Sequence, residues 1–146
     1  MRRLLIIEDD KEKIKRLLEF QGQHDIVVKE SFQAGVSELK NNHKIYDFLI
    51  LDMTIPLWEK GNNDLGGNYE QFGGEKVLRE MKRRKLYTPT ILFTMFDVFP
   101  TQDGNITFGK VDTLFKKEFS DFYIGAVLFS SEDDSWMEEL SKLMGE

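Results

Sequence analysis

The chain contains no cysteine, which excludes disulfides, thiolate metal sites and cysteine nucleophiles. It has no apolar run of membrane-spanning length. Its start, Met1-Arg2-Arg3-Leu4, carries a basic pair, but only four apolar residues precede Glu8, too few for the apolar segment of a signal peptide. A soluble, cytoplasmic protein without membrane contact is expected. A basic surplus is also missing: the formal net charge is −6 and the sequence pI about 5.1. That balance argues against sequence-independent binding to nucleic acid, which needs a basic face to displace counterions. The one basic cluster, Lys82-Arg83-Arg84-Lys85, reads as a solvated helix end. Several catalytic motifs are absent too. There is no Gly-x-Ser-x-Gly and no His-Glu-x-x-His, and the Gly-rich stretch from Gly66 to Lys76 lacks phosphate-loop spacing. Asp52-Met53-Thr54 lacks the second Asp that a haloacid-dehalogenase-type phosphatase needs two residues after its nucleophile. His24 and His43 are given no role.

What the chain does have is apolar runs that end in bare carboxylates. Leu4-Leu5-Ile6-Ile7 stops at Glu8-Asp9-Asp10, and Phe48-Leu49-Ile50-Leu51 stops at Asp52. Short runs that are apolar at successive positions read as strands buried on both faces of a parallel sheet. Acids at the ends of two such strands can meet in one cleft, where like charges repel unless a cation or a proton compensates. The pattern therefore points to a divalent metal, shared-proton chemistry, or both. Asp10 reads differently, as an acid complementing a helix N-terminus.

Strands and helices alternate along the 146 residues, which are read as one domain with a Phe-rich core, twelve Phe in all. A strand at about 3–7 leads to a helix at about 11–22, with Ile14, Leu17, Leu18 and Gln21 at helical spacing. Ile26-Val27-Val28 forms a second strand, and Ser31 caps a helix that turns Phe32, Val36 and Leu39 inward. The strand ending at Asp52 precedes a helix at about 74–85 carrying Val77, Leu78 and Met81. Thr90-Ile91-Leu92-Phe93-Thr94 is the fourth strand, and Thr113-Leu114-Phe115-Lys116 is assigned as the fifth. Residues 123–129 read as an extra strand. A terminal helix presents Trp136, Met137, Leu140 and Met144. Two stretches break the pattern: a Gly/Asn-rich loop at about 57–73, and 97–110, where Pro100 and Asp103-Gly104-Asn105 leave room for at most one or two helical turns.

This alternation predicts an α/β fold, a three-layer doubly wound sandwich on a five-stranded parallel sheet of order 2-1-3-4-5. Ligands in such folds bind beyond the carboxyl ends of the strands. Glu8, Asp9, Asp52 and Thr94 all fall at those ends.

With a lysine at the end of the assigned fifth strand added, this set resembles the receiver domain of bacterial response regulators. The matching pieces are LLIIEDD, YDFLILDMTIP, GGEKVLREMK, TPTILFT and LFKKEF, in that family's order. The resemblance implies that Asp52 is a phosphoacceptor and Thr94 a switch hydroxyl. By the same likeness Lys117 contacts the phosphoryl group. Glu8, Asp9, Asp52 and the Thr54 backbone carbonyl would hold Mg²⁺, with Mn²⁺ as a substitute. It further implies a stand-alone receiver, a monomer or weak dimer. Its donor would be a histidine kinase or phosphotransfer protein, its output a downstream protein target, and it would not be an enzyme in its own right. Departures from the family are the long 57–73 loop, Glu118 where proline is usual, Leu114 at the aromatic switch position and a poorly helical fourth crossover. They raise an alternative, a pseudo-receiver that binds a protein without switching. A metal-dependent phosphatase with Asp52 as nucleophile is a weaker third.

Overall fold

A computed structural model describes residues 2–20, 24–57, 69–70, 72–101 and 103–146. Trp58, Gln21 and most of the 57–73 loop lie outside them. The central sheet is built from β1 (Arg3–Ile7), β2 (Asp25–Lys29), β3 (Phe48–Leu51), β6 (Thr90–Thr94) and β9 (Tyr123–Leu128), all parallel, in the order β2-β1-β3-β6-β9. Counting only these strands, this is the expected 2-1-3-4-5 order. Two short strands, β4 (Ile55–Pro56) and β5 (Tyr69–Glu70), pair antiparallel across the long loop. Another two, β7 (Val98–Thr101) and β8 (Gly104–Thr107), form a hairpin.

The strands sort their side chains by alternation. Leu5, Ile7, Leu49, Leu51 and Leu92 face one way. They meet Val36 and Leu39 of α2 (Phe32–Asn42), Val77 and Met81 of α3 (Gly73–Arg84), and Val111 and Phe115 of α4 (Phe108–Glu118). Leu4, Ile6, Ile50, Ile91 and Phe93 face the other way, against Leu17 of α1 (Lys11–Phe20) and Trp136 and Leu140 of α5 (Ser135–Leu143). Two cores on opposite faces of one sheet make the three layers. Leu18, read from sequence as part of the inner stripe of α1, is exposed.

The second half of the chain corrects the sequence assignment. Residues 113–116 are not the fifth strand; they lie inside α4. Thr107 caps this helix by accepting a hydrogen bond from the Lys110 backbone N–H at 3.2 Å. Val111 and Phe115, with Phe119 just beyond, bury one stripe at a spacing of four. The Thr113 hydroxyl donates to the Gly109 carbonyl at 3.0 Å, a bond that needs helical backbone. The stretch read as an extra strand is the true fifth strand, β9, with Thr94 paired to Leu128. Residues 98–107 form the β7–β8 hairpin, turning through Gly104 at φ +119°. Leu114 is therefore an exposed helix residue, and Glu118 lies at the end of α4, 3.3 Å from Arg79 and 3.4 Å from Lys82 of α3.

The start of α3 is pinned to the end of β3. The Gly74 N–H donates to the Met53 carbonyl at 2.8 Å, and a Cβ added at Gly74 would collide with the Asp52 carbonyl oxygen and lie 2.8 Å from Met53 Cα. Only glycine allows this approach.

Two stability measurements check these assignments. In α4, Phe115→Ala should cost about 3–5 kcal/mol by denaturant unfolding. Thr113→Ala, which would share the Phe115 face in a strand but not in a helix, should cost roughly 0.5 kcal/mol or less. At the α3 contact, Gly74→Ala should destabilise by about 1–3 kcal/mol, because the atoms it meets are backbone and do not yield.

Candidate functional site

The carboxyl ends of β1 and β3 are locked side by side. The Asp52 N–H donates to the Ile7 carbonyl at 3.1 Å, and the Glu8 N–H donates to the Lys29 carbonyl at 3.0 Å. Glu8 and Asp52 leave the sheet together and are 1% and 7% exposed. With Asp9 they place three carboxylates whose nearest oxygens all lie within 4.8 Å of one another. Asp10 is separate from this group. Its Oδ1 accepts from the backbone N–H groups of Glu12 at 2.9 Å and Lys13 at 3.1 Å, capping α1 as the sequence suggested.

That cap fixes the phase of α1, and the phase sends Lys13 inward, one turn before Leu17. Lys13 is 1% exposed. Its ammonium lies 2.5 Å from Glu8 Oε1 and 3.3 Å from Asp52 Oδ1, and it donates to the Phe93 carbonyl at 3.2 Å. The Phe93 ring is 5.4 Å from the same nitrogen. Burial works against the Lys13 charge, but the Asp52 and Glu8 carboxylates outweigh it and hold the pKa above the ordinary lysine value. Glu8 moves the other way. Burial first, then the Asp52 charge, pushes its pKa up to about 9, against the pull of Lys13.

The charge balance is direct. Three carboxylates crowd one ammonium, and this crowding of like charge, with burial, is what raises the Glu8 pKa. Glu8 Oε1 and Asp52 Oδ1 are buried without an aligned hydrogen bond, although both face the ammonium. An all-oxygen donor set with two such atoms suits a small, hard divalent cation, which takes one or two carboxylates and keeps several waters.

A cleft of about 470 Å³ opens over this group, lined by Asp9, Lys13, Asp52, Thr54, Met95 and Phe96 among others. Thr94 ends β6 fully buried, its Oγ1 accepting from the Phe96 N–H at 3.3 Å. Glu8, Asp9, Asp52 and Thr54 thus gather as the sequence suggested, with Thr94 at the adjoining strand end. Lys117 does not join them. It sits near the end of α4 and lines a different cavity, of about 500 Å³, with Met53, Phe72, Arg79 and Phe115. The reason is the misplaced strand: a lysine expected at a strand end lies on a helix. The real fifth strand runs out into Phe129-Ser130-Ser131, which carries no cation.

Lys13 was missed from sequence because it is one of several basic residues at the start of α1, with Lys11, Lys15 and Arg16, and such lysines ordinarily project into water. The signal available was its position, four residues before Leu17, on the stripe that α1 buries.

Comparison with known proteins follows the same lines. No family model matches the chain. It is 29% identical, over an alignment of 150 residues, to the Detocs response regulatory protein DtcB of Enterobacter cloacae, covering 97% of this chain and 98% of that one. Among solved structures, a response regulator receiver domain from Clostridium thermocellum superposes with a TM-score of 0.63 at 18% identity, covering 99% of this chain and 92% of its own. A CheX–CheY–BeF3–Mg²⁺ complex from Borrelia burgdorferi gives a TM-score of 0.64 at 14% identity, with coverage of 99% and 87%. The chain therefore has the fold of response-regulator receiver domains and resembles a response regulatory protein over nearly its whole length.

Proposed function

We propose that the chain accepts a phosphoryl group on Asp52 from a histidine kinase or phosphotransfer protein and signals through contacts with a downstream protein. One observation carries this reading: Asp52 ends the middle strand of a receiver-type sheet, with two further acids and a buried ammonium gathered around it. The acid cluster, with the Thr54 carbonyl, would hold Mg²⁺ or Mn²⁺. Bound there, the ion would offset the charge of the carboxylate and of the transferring phosphoryl oxygens.

The transfer itself is a displacement at phosphorus. An Asp52 carboxylate oxygen forms the new O–P bond as the P–N bond of the donor phosphohistidine breaks, and the electron pair stays with the imidazole. The chain contributes placement and charge. The ladder bond to Ile7 fixes the Asp52 backbone, and Gly74 lets α3 brace it from behind. The Thr94 hydroxyl accepts from the Phe96 N–H and keeps its own proton to donate to a phosphorylated Asp52, which would couple the site to the segment after β6. Phe96, about half exposed and lining the cleft, would shield the acyl phosphate from water. Such a protein turns over no substrate of its own and works in the cytoplasm. Among the described residues, no helix is long and apolar enough to cross a membrane.

Incubation with acetyl phosphate, followed by intact-mass spectrometry, tests the reading. A gain of one phosphoryl group that requires Mg²⁺ and disappears in Asp52→Asn is expected. No gain under any condition would leave the protein-binding pseudo-receiver as the better account. A second measurement concerns lifetime. Phe96→Ala should speed loss of the phosphoryl group by roughly tenfold, equivalent to about 1.4 kcal/mol of barrier. An unchanged decay rate would remove Phe96 from the role.

A further inference from the structure

We propose that Lys13, carried on the first helix, is the ammonium that faces the phosphoryl group, and that Glu8 anchors this lysine rather than ligating the metal. The inference rests on Asp52 being the phosphoacceptor and divides the labour within the cluster. It starts from an unequal pair of distances. The Lys13 nitrogen is 2.5 Å from Glu8 Oε1 but 3.3 Å from Asp52 Oδ1, so its tight partner is Glu8 and its loose one is the reacting carboxylate. A cation tethered on one side and slack on the other can follow new oxygens on Asp52 without leaving its anchor. The Phe93 carbonyl, 3.2 Å away, holds a third direction of the ammonium and fixes its aim.

Access separates the two acids further. Asp9, Asp52, Thr54 and Lys13 all line the cleft, whereas Glu8 does not. Glu8 is 1% exposed, and its Oε1 has the ammonium against it. A cation arriving from solvent therefore meets Asp9 and Asp52 first, while reaching Glu8 Oε1 requires displacing a buried ion pair. Removing one member of such a pair is strongly unfavourable, because it strands the other charge. Charge accounting agrees. The Glu8–Lys13 pair is neutral when both are ionised, so Glu8 adds no net charge to the pair of carboxylates, Asp9 and Asp52, that would face the metal.

Among the described residues, the only central-sheet strand that ends in a lysine is the edge strand β2, at Lys29, and β1 separates it from the strand that ends at Asp52. The neutral Phe129-Ser130-Ser131 follows β9, and Lys116 and Lys117 belong to the exposed side of α4. Among the described residues, the cation beside Asp52 comes from a helix, and the cap by Asp10 turns α1 so that it can. Lys13 also carries the site into the second core. Phe93, whose carbonyl it grips, packs edge-on against Trp136 of α5 at 5.4 Å.

The test compares wild type with Lys13→Met combined with Glu8→Gln, a double change that removes one charge of each sign and strands neither. Two probes are used: Mn²⁺ alone, titrated by electron paramagnetic resonance, and beryllofluoride with Mg²⁺, followed by ¹⁹F NMR. The double variant should bind Mn²⁺ within about threefold of wild type, yet hold beryllofluoride at least about tenfold more weakly. Because the chain has no cysteine, Lys13→Cys can be alkylated at that single site with bromoethylamine while unfolded. Refolding should then recover beryllofluoride binding by restoring an ammonium at nearly the same reach. A tenfold or greater loss of Mn²⁺ affinity in the double variant would make Glu8 a ligand and overturn the division. Undiminished beryllofluoride binding in that variant, or an equal loss in Lys117→Ala, would overturn the assignment of Lys13. If wild type takes up no beryllofluoride at all, the phosphoacceptor reading falls and the role of Lys13 falls with it.

Discussion

Two carboxylates held side by side in a protein interior need a counter-charge or a shared proton, and the architecture of this chain supplies a counter-charge. The sheet forces the problem. Ile7 and Leu51 are paired neighbours, and the Asp52 N–H on the Ile7 carbonyl keeps the next two residues, Glu8 and Asp52, in register as they leave the strands. Two devices meet the constraint. Asp10 caps α1 and sets its rotation, and Lys13 enters the pocket on that helix, while burial and the Asp52 charge still raise the Glu8 pKa to about 9. The second depends on the first.

The same constraint would make the site receptive to a cation and to an anion together. Asp9 and Asp52 line the cleft with their carboxylates, and Lys13 lines it beside them. A divalent ion and a phosphoryl group are complementary to that arrangement when they arrive as a pair. Rigid backing completes it, because α3 reaches the Asp52 backbone through a position where no side chain fits.

The first half of the fold was legible in the sequence for a physical reason. β1, β3 and β6 are apolar on both faces, so their composition alone marks them as central parallel strands, and the acids that end them are conspicuous. The second half was harder. Thr113-Leu114-Phe115-Lys116 is short and rich in β-forming residues, while the four-residue spacing of Val111, Phe115 and Phe119 that makes it a helix extends beyond any strand-length window. β9 lies at the sheet edge, and its alternating burial gave a weaker signal than the continuous runs of the interior strands. Misplacing that strand by about ten residues carried Lys117 into a site it does not reach and hid the role of Lys13. A buried lysine cannot be told from a solvated one by residue type. It becomes visible once the strand that should have supplied a cation is seen to end in Phe129 and two serines.

The remodelled crossover also bears on output. The β7–β8 hairpin precedes α4, and the ion pairs linking α4 to α3 through Glu118 are exposed, so they contribute little to holding the helix. Burial of Val111, Phe115 and Phe119 does most of that work, leaving the outer side of α4 free to vary without cost to the site. The central claim, that Asp52 reacts while Lys13 and not a strand-end lysine faces the new group, is tested most directly by a crystal structure with beryllofluoride and Mn²⁺. The account predicts beryllium on an Asp52 oxygen, the Lys13 ammonium within hydrogen-bonding distance of a fluoride, and manganese on Asp9 and Asp52. An adduct contacted by another cation, with Lys13 turned away, would contradict it.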